Sequence, residues 1–471
     1  MLKRMSMAAA IVSLLSAALG GAALRRTDLP ALVVAFTSGM NGQLEPCGCA
    51  ESRWGGLARR ASAADALRER AGGRFLLVDA GSMARGDLPW EIENYRFALR
   101  GFRLAGGEVA NVGMVEQRLP VAVLRSAARD AEVKLVSLNI SAPDGAPVVE
   151  RYVVKEVPLV NGEILRVLIA GVAEPLVRAE GRPGLIGEDP VHAAGAFDAE
   201  LASIEHDVAV LLADTDENGL ARLAKAAPSF HLILGGSRVA QASKELERPQ
   251  GAQGPAVAYA ASKGKVLGVV RFDRAGAAER VHPASAEAMT LDEHVAERED
   301  LLALVDAYNE ELKRMALADG GASLGHASRR KPNNPFAGSA ACLGCHAETA
   351  QVWSGARHAH ALETLEAINR AYNPDCLGCH TVGLGQPGGF VSAHETPHLG
   401  GVGCESCHGP GGNHIAMLAA TKAGREFTGS ARFRPAGAEG CIVCHDPENS
   451  PNFRFEEYWQ KIRHTHESRY E

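Results

Sequence analysis

Four Cys-x-x-Cys-His pentads lie between residues 342 and 445: Cys342, Cys345 and His346; Cys376, Cys379 and His380; Cys404, Cys407 and His408; Cys441, Cys444 and His445. Two thiols three positions apart reach the two vinyl edges of one porphyrin, and the histidine that follows lies beneath the iron, the attachment pattern of c-type haem. With 10 Cys and 17 His in 471 residues, chance supplies roughly 0.008 such pentads. The spacing therefore predicts four covalently held c-type haems, with the eight cysteines as thioether donors and His346, His380, His408 and His445 as proximal iron ligands. Structural zinc would use the same thiols but has no need of a histidine after every second cysteine. Disulfide pairing in an oxidising compartment leaves the repeated histidine unexplained.

The second face of each iron decides its chemistry. An iron held by two imidazoles is closed and suited to electron transfer, whereas one with an open face binds a small molecule. Seven histidines outside the pentads are available: His358, His360, His394, His398, His414, His464 and His466.

The elements that must carry these groups fall into two unlike parts. Between residues 30 and 280, short apolar, β-branched runs alternate with helical stretches: Leu32 to Phe36, Phe75 to Val78, Val133 to Leu138, Leu165 to Ile169, Val208 to Leu212, Leu232 to Leu234 and Val266 to Phe272. That alternation predicts an α/β layered sandwich with its own core. A connecting helix is expected within 281–319, opened by a capping box of Thr290 and Glu293, with Leu301, Leu304, Val305, Tyr308, Leu312 and Met315 on one face. It stops at Gly320 and Gly321, and 320–336 reads as a polar linker. From 337 to 471 the chain offers few strand-like runs and must be mainly helical. Four porphyrins in so short a stretch must supply much of its buried apolar surface, so the apo region is expected to be largely unfolded.

Residues outside the pentads extend the pattern: Trp353 with Ala356-Arg357-His358-Ala359, Gly383-Leu384-Gly385-Gln386-Pro387-Gly388-Gly389-Phe390, Val402-Gly403 before Cys404 with Gly409-Pro410-Gly411 after His408, and Phe455-Glu456-Glu457-Tyr458-Trp459. Over Cys342 to about His466 this resembles the tetrahaem cytochrome c-554 family, which accepts electrons from hydroxylamine oxidation. The resemblance implies distal ligands at His358, His414 and one of His464 or His466. It leaves the haem of Cys376, Cys379 and His380 open unless His394 or His398 fills the vacancy.

The N-terminal part resembles the metallophosphatase domain of secreted 5′-nucleotidases. The positions corresponding to that family's metal ligands are Gly39 and Asn41, Ser82, Met114 and Val115, Asp214, then Ser237 and Val239. One carboxylate and one asparagine cannot hold a dinuclear metal site, so the resemblance implies a catalytically inactive scaffold that docks a redox partner or shields haems. No catalytic residue is assigned. Cys47-Gly48-Cys49 stands where the first metal loop would be, and is read as a strained redox disulfide, a thiolate site or a plain thiol pair.

Lys3 and Arg4, an apolar run from Met5 to Leu19 and small residues to Ala23 read as an export signal over 1–23. The same stretch is close to the roughly 20 residues that span a bilayer, so an uncleaved anchor, with membrane association through the N-terminus, is the alternative. A net charge of −7 argues against nucleic acid as a partner. The reading as a whole is an exported, periplasmic tetrahaem cytochrome that relays electrons between a redox donor and a redox acceptor. Its alternatives are a haem enzyme acting on a small nitrogen or sulfur species, and a phosphohydrolase.

Overall fold

The computed structural model describes residues 30–46, 53–159, 162–176, 184–236, 238–239, 241–251, 254–261, 263–274, 280–325, 330–426 and 436–464. The proposed signal segment, Cys47, Cys49, Ser237 and His466 lie outside them. No helix among the described residues is long and apolar enough to cross a membrane.

The strands are β1 (Leu32–Thr37), β2 (Phe75–Asp79), β3 (Gly107–Asn111), β4 (Lys134–Val136), β5 (Ile140–Ser141), β6 (Tyr152–Pro158), β7 (Ile164–Ala173), β8 (Ile186–Gly187), β9 (Val208–Asp214), β10 (Leu232–Gly235), β11 (Ala256–Tyr259), β12 (Val266–Asp273) and β13 (His282–Thr290). The helices that cover them are α1 (Leu57–Arg70), α2 (Pro89–Leu104), α3 (Val121–Ala131), α4 (Pro190–Leu201), α5 (Glu217–Ala226) and α6 (Glu299–Asp319). One sheet runs β13-β12-β1-β2-β3-β4, another β11-β10-β9-β7-β6, and β5 pairs with β8. Strands β1 to β4 are parallel, so each connection must cross over, and α1, α2 and α3 are those crossovers.

Period-2 alternation explains the layering. Leu32, Val34 and Phe36 meet Val167, Ile169, Val210, Leu212 and Leu234 between the two sheets. Val33, Ala35 and Leu77 face the other way, against Leu57, Leu67, Phe102, Leu124 and Leu301 of the helices. On the far side Leu168, Ala170, Leu211 and Ile233 pack on Phe197, Leu220 and Leu223. Strands buried on both faces read as continuous apolar runs, as at Leu32–Phe36, Val208–Leu212 and Leu232–Leu234. Strand β3 and the outer strands β6 and β13 carried no such run, and the short apolar run of β11 was missed.

One expectation fails. Thr290 and Glu293 do not cap a helix: Thr290 ends β13, paired with Val266 of β12, and α6 begins at Glu299 behind Arg298. Sheet pairing has overridden a local capping signal. Helix α6 also does more than connect, because Leu301, Val305, Tyr308, Leu312 and Ala316 belong to the same apolar cluster as β1 and α1. It ends as expected, at Gly320 with φ 63°, where the missing Cβ permits the left-handed turn.

Beyond the linker come α7 (Ser339–Leu343), α8 (Ala347–Ser354), α9 (Ala361–Glu366), α10 (Pro374–His380), α11 (Cys404–His408), α12 (Gly412–Lys422), α13 (Ala438–Cys441) and α14 (Phe455–Ile462). All are too short to be stable alone. The described core here is one small cluster of Leu362, Leu365, Ala371, Leu377, Val382, Phe390 and Leu399.

Candidate functional site

Each pentad is wound as a helical turn. His346 N bonds Cys342 O at 3.1 Å, and His445 N bonds Cys441 O at 2.8 Å. The second and third pentads lie within α10 and α11. One turn brings residues i, i+3 and i+4 to a common face, so two thiols and an imidazole converge. Glu405, between the cysteines of the third pentad, is buried and turned inward. It accepts from Ala337 N (2.9 Å), Gly338 N (2.8 Å) and Gly411 N (2.6 Å), tying the end of the linker to the third pentad.

Histidines far apart in the chain meet across these turns. The ring of His358 stands 6.1 Å from that of His445, centroid to centroid, and the ring of His464 stands 5.8 Å from that of His408. Burial lowers the pKa of His414, and the field of neighbouring His346 adds to the effect. Two imidazoles gripping one metal through bonds of about 2 Å place their centroids roughly 6 Å apart, so the separations suit a shared iron. A cavity of about 70 Å³ is walled by Cys404, Cys407, His408, His464, Trp353 and Ile462, with His358 also on its lining. Thiols for thioethers, imidazoles on opposite sides and apolar walls are the donor set and surroundings that a c-type haem requires.

His380 differs. Its Nδ1 faces Ala361 O at 2.6 Å, which leaves Nε2 for a metal, and no imidazole ring contact reaches it among the described residues. His394 and His398 are exposed, and His398 packs on the backbone of Gly338. His360 is exposed and bonds Glu363 and Ser354 O.

In the N-terminal region the metal-loop positions do converge. Ser82 Oγ donates to Asp214 Oδ2 at 2.5 Å, and the same oxygen accepts from Met114 N at 2.6 Å. Val115 N reaches Ser82 Oγ at 3.4 Å. Gly39 N bonds Gly81 O and Asn41 N bonds Ser82 O. Val239 is buried beside Gly236 at the end of β10. Sequence reading missed the rest of this centre. Glu116 accepts from Ser82 N (3.0 Å) and Ala84 N (2.6 Å), holding Ser82 in a left-handed turn, φ 55°. Asp79 accepts from Thr37 Oγ1 at 2.6 Å and Gly81 N at 2.9 Å. Burial lifts Glu116 to about 7 and Asp79 to about 6. Arg60, wholly buried, is lowered to about 10 by desolvation against the pull of Asp79. An acidic residue closing an apolar strand, as in Phe75–Asp79, was the signal available for Asp79.

The described partners of these carboxylates are hydroxyls and amides, and any side chain at Gly113 would strike Ser82 N and Asp214 Oδ2. Among the described residues the centre is held together by its own hydrogen bonds.

The two regions therefore belong to different classes: a c-type cytochrome at the C-terminal end and an α/β sandwich of the metallophosphatase type before it. Residues 341–409 match the family described as cytochrome c554 and c-prime. Cytochrome c-554 of Nitrosomonas europaea is 37% identical over 144 residues, covering 25% of this chain and 60% of that protein, so the chain spans less than two thirds of this relative's length. The sandwich is similar to the 5′-nucleotidase precursor of Thermus thermophilus, with TM-score 0.51 and 22% identity over 61% of this chain and 60% of that one. It is also similar to a calcineurin-like phosphoesterase of Bacillus subtilis, with TM-score 0.50 and 19% identity over 59% of this chain and 97% of that one. At these identities the likeness is one of fold.

Proposed function

We propose that the chain is an exported tetrahaem cytochrome that passes electrons between redox partners, carrying an N-terminal domain that no longer hydrolyses phosphate esters. The observation that carries the reading is the approach of two pentad histidines, His445 and His408, to His358 and His464 across the chain, with His414 in the field of His346. In this assignment His346 and His414, His408 and His464, and His445 and His358 would each hold one iron, and the eight pentad cysteines would hold the four macrocycles. A bound haem supplies a one-electron iron couple, closed to ligands where two imidazoles hold it and open where one does. The chain's own part is to fix each imidazole: Ala361 O orients His380, and Ser450 Oγ, 3.0 Å from Nδ1, orients His445.

The lone imidazole of His380 favours a second reading, in which a small nitrogen or sulfur species binds at that motif. Haem quantitation with electron paramagnetic resonance of the oxidised protein separates the two. Four haems with one high-spin signal in four are expected. Four low-spin signals would remove the open site, and fewer than four haems would break the assignment itself. Phosphate ester hydrolysis by metal-loaded protein would overturn the inactive reading of the N-terminal domain.

A further inference from the structure

The segment that leads into the second pentad, residues 369–375, lies against the N-terminal domain. Asn309 of α6 and Asn373 are both nearly fully buried. Asn309 Nδ2 donates to Val305 O at 3.2 Å, and its Oδ1 accepts from Asn373 Nδ2, also at 3.2 Å. Asn373 Oδ1 in turn accepts from Asp375 N at 3.1 Å, capping α10, the helix of Cys376, Cys379 and His380. Two buried amides thus run from an interior helix of one region to the N-cap of a haem-motif helix in the other. Separating the regions would leave Asn309 Oδ1 and Asn373 Nδ2 without each other, and a buried polar group left unpaired costs about 1–3 kcal/mol.

Charge pairs flank this relay. Arg370 Nε donates to both oxygens of Glu45, at 2.7 and 2.9 Å, with both side chains mostly buried. Arg85 pairs with Asp375 and lies over the Trp90 ring. Tyr372, between Arg370 and Asn373, packs on the main N-terminal core. Lys263 and Lys265 also pair with Glu448, just beyond the fourth pentad, but the buried amides lead to the second, whose histidine has no imidazole ring contact among the described residues.

We propose that the N-terminal domain is a positioning partner for the second haem motif: through Asn309 and Asn373, clamped by Glu45 and Arg370, it sets the orientation of α10 and so the ligand access and potential of that centre. This explains why a phosphatase fold with a self-filled centre remains joined to a cytochrome. The proposal deepens the reading of four haems with one open, and rests on it for the identity of the affected centre. Asn309, Glu45 and Arg370 are positioning residues that act through α10.

The test uses the full-length holoprotein with Asn309→Ala, Arg370→Glu and the charge swap Glu45→Arg/Arg370→Glu, each checked for unchanged haem content. The expected result is a change in the high-spin resonance and a several-fold change in the carbon monoxide association rate for Asn309→Ala and Arg370→Glu. Three low-spin signals should stay in place, and the swap should restore the parental spectrum. Parental resonances and parental carbon monoxide kinetics in both single variants would overturn the proposal. Equal shifts in all four centres would also overturn it, since that is what general loosening produces. If the parent protein shows four low-spin signals, the open-haem reading fails, and the proposal is then decided by whether one low-spin signal alone moves in Asn309→Ala. If Asn309→Ala loses haem, the decision passes to Arg370→Glu and its restoration by the swap.

Discussion

The N-terminal region buries apolar side chains in three contiguous clusters, one between its sheets and one under each helical layer, whereas residues 330–464 gather a single described cluster of seven. The first can offset its chain entropy with its own side chains. The second consists of turns and short helices whose separations suit something larger than a side chain. Stability and chemistry are thus divided along the chain. A region that owns its core is expected to fold without any bound group, while a region with so small a core of its own is expected to depend on its cofactors.

The largest expected effect breaks this comparison directly. Protein made without haem attachment should lose the 330–464 region to limited proteolysis while a fragment of the N-terminal domain survives with its own cooperative melt. Survival of both regions, seen by gel and circular dichroism, would show that the haem region has a core of its own. Next, Phe36→Ala, at a fully buried position between the sheets, should cost about 3–5 kcal/mol in the denaturant transition of the N-terminal domain. The haem count should be unchanged, and a lowered count would show the regions to fold as one unit.

A smaller effect sharpens the picture of the filled centre. Glu116 and Asp79 are pushed up by burial to about 7 and about 6, above their ordinary values, so the folded state binds their protons more tightly than the unfolded chain. Their protonation stabilises the fold as pH falls from about 8 to 5, and that gain is lost as pH rises through 6 to 7. The change should be about 1–3 kcal/mol, read as the thermal midpoint of the N-terminal domain against pH. Glu116→Gln should flatten most of the slope, and an unchanged slope would place the titration elsewhere.

Much of this arrangement was legible from residue types. Strands such as Leu32–Thr37 and Val208–Asp214 announced themselves because burial on both faces makes them apolar throughout. The false cap at Thr290 shows the limit: three residues can imitate a helix start, and only pairing with Val266 reveals a strand end. Glu116 was invisible for a related reason, since nothing in its neighbourhood in sequence shows that it reaches back to Ser82 and Ala84. Glu405 lay in plain view between two cysteines, yet its partners Ala337 and Gly338 come from just beyond the linker.

By itself the sequence determined the haem-attachment chemistry, because two thiols and an imidazole within five residues are placed by one helical turn, a local event independent of fold. Only the tertiary structure decided which histidines meet, since His358 and His445 or His408 and His464 approach through packing of segments far apart in the chain. The same holds for the seam in which Asn309 caps, through Asn373, the helix of another region. Contacts of that range depend on where whole elements come to rest, and on the burial that makes an unpaired amide or carboxylate costly.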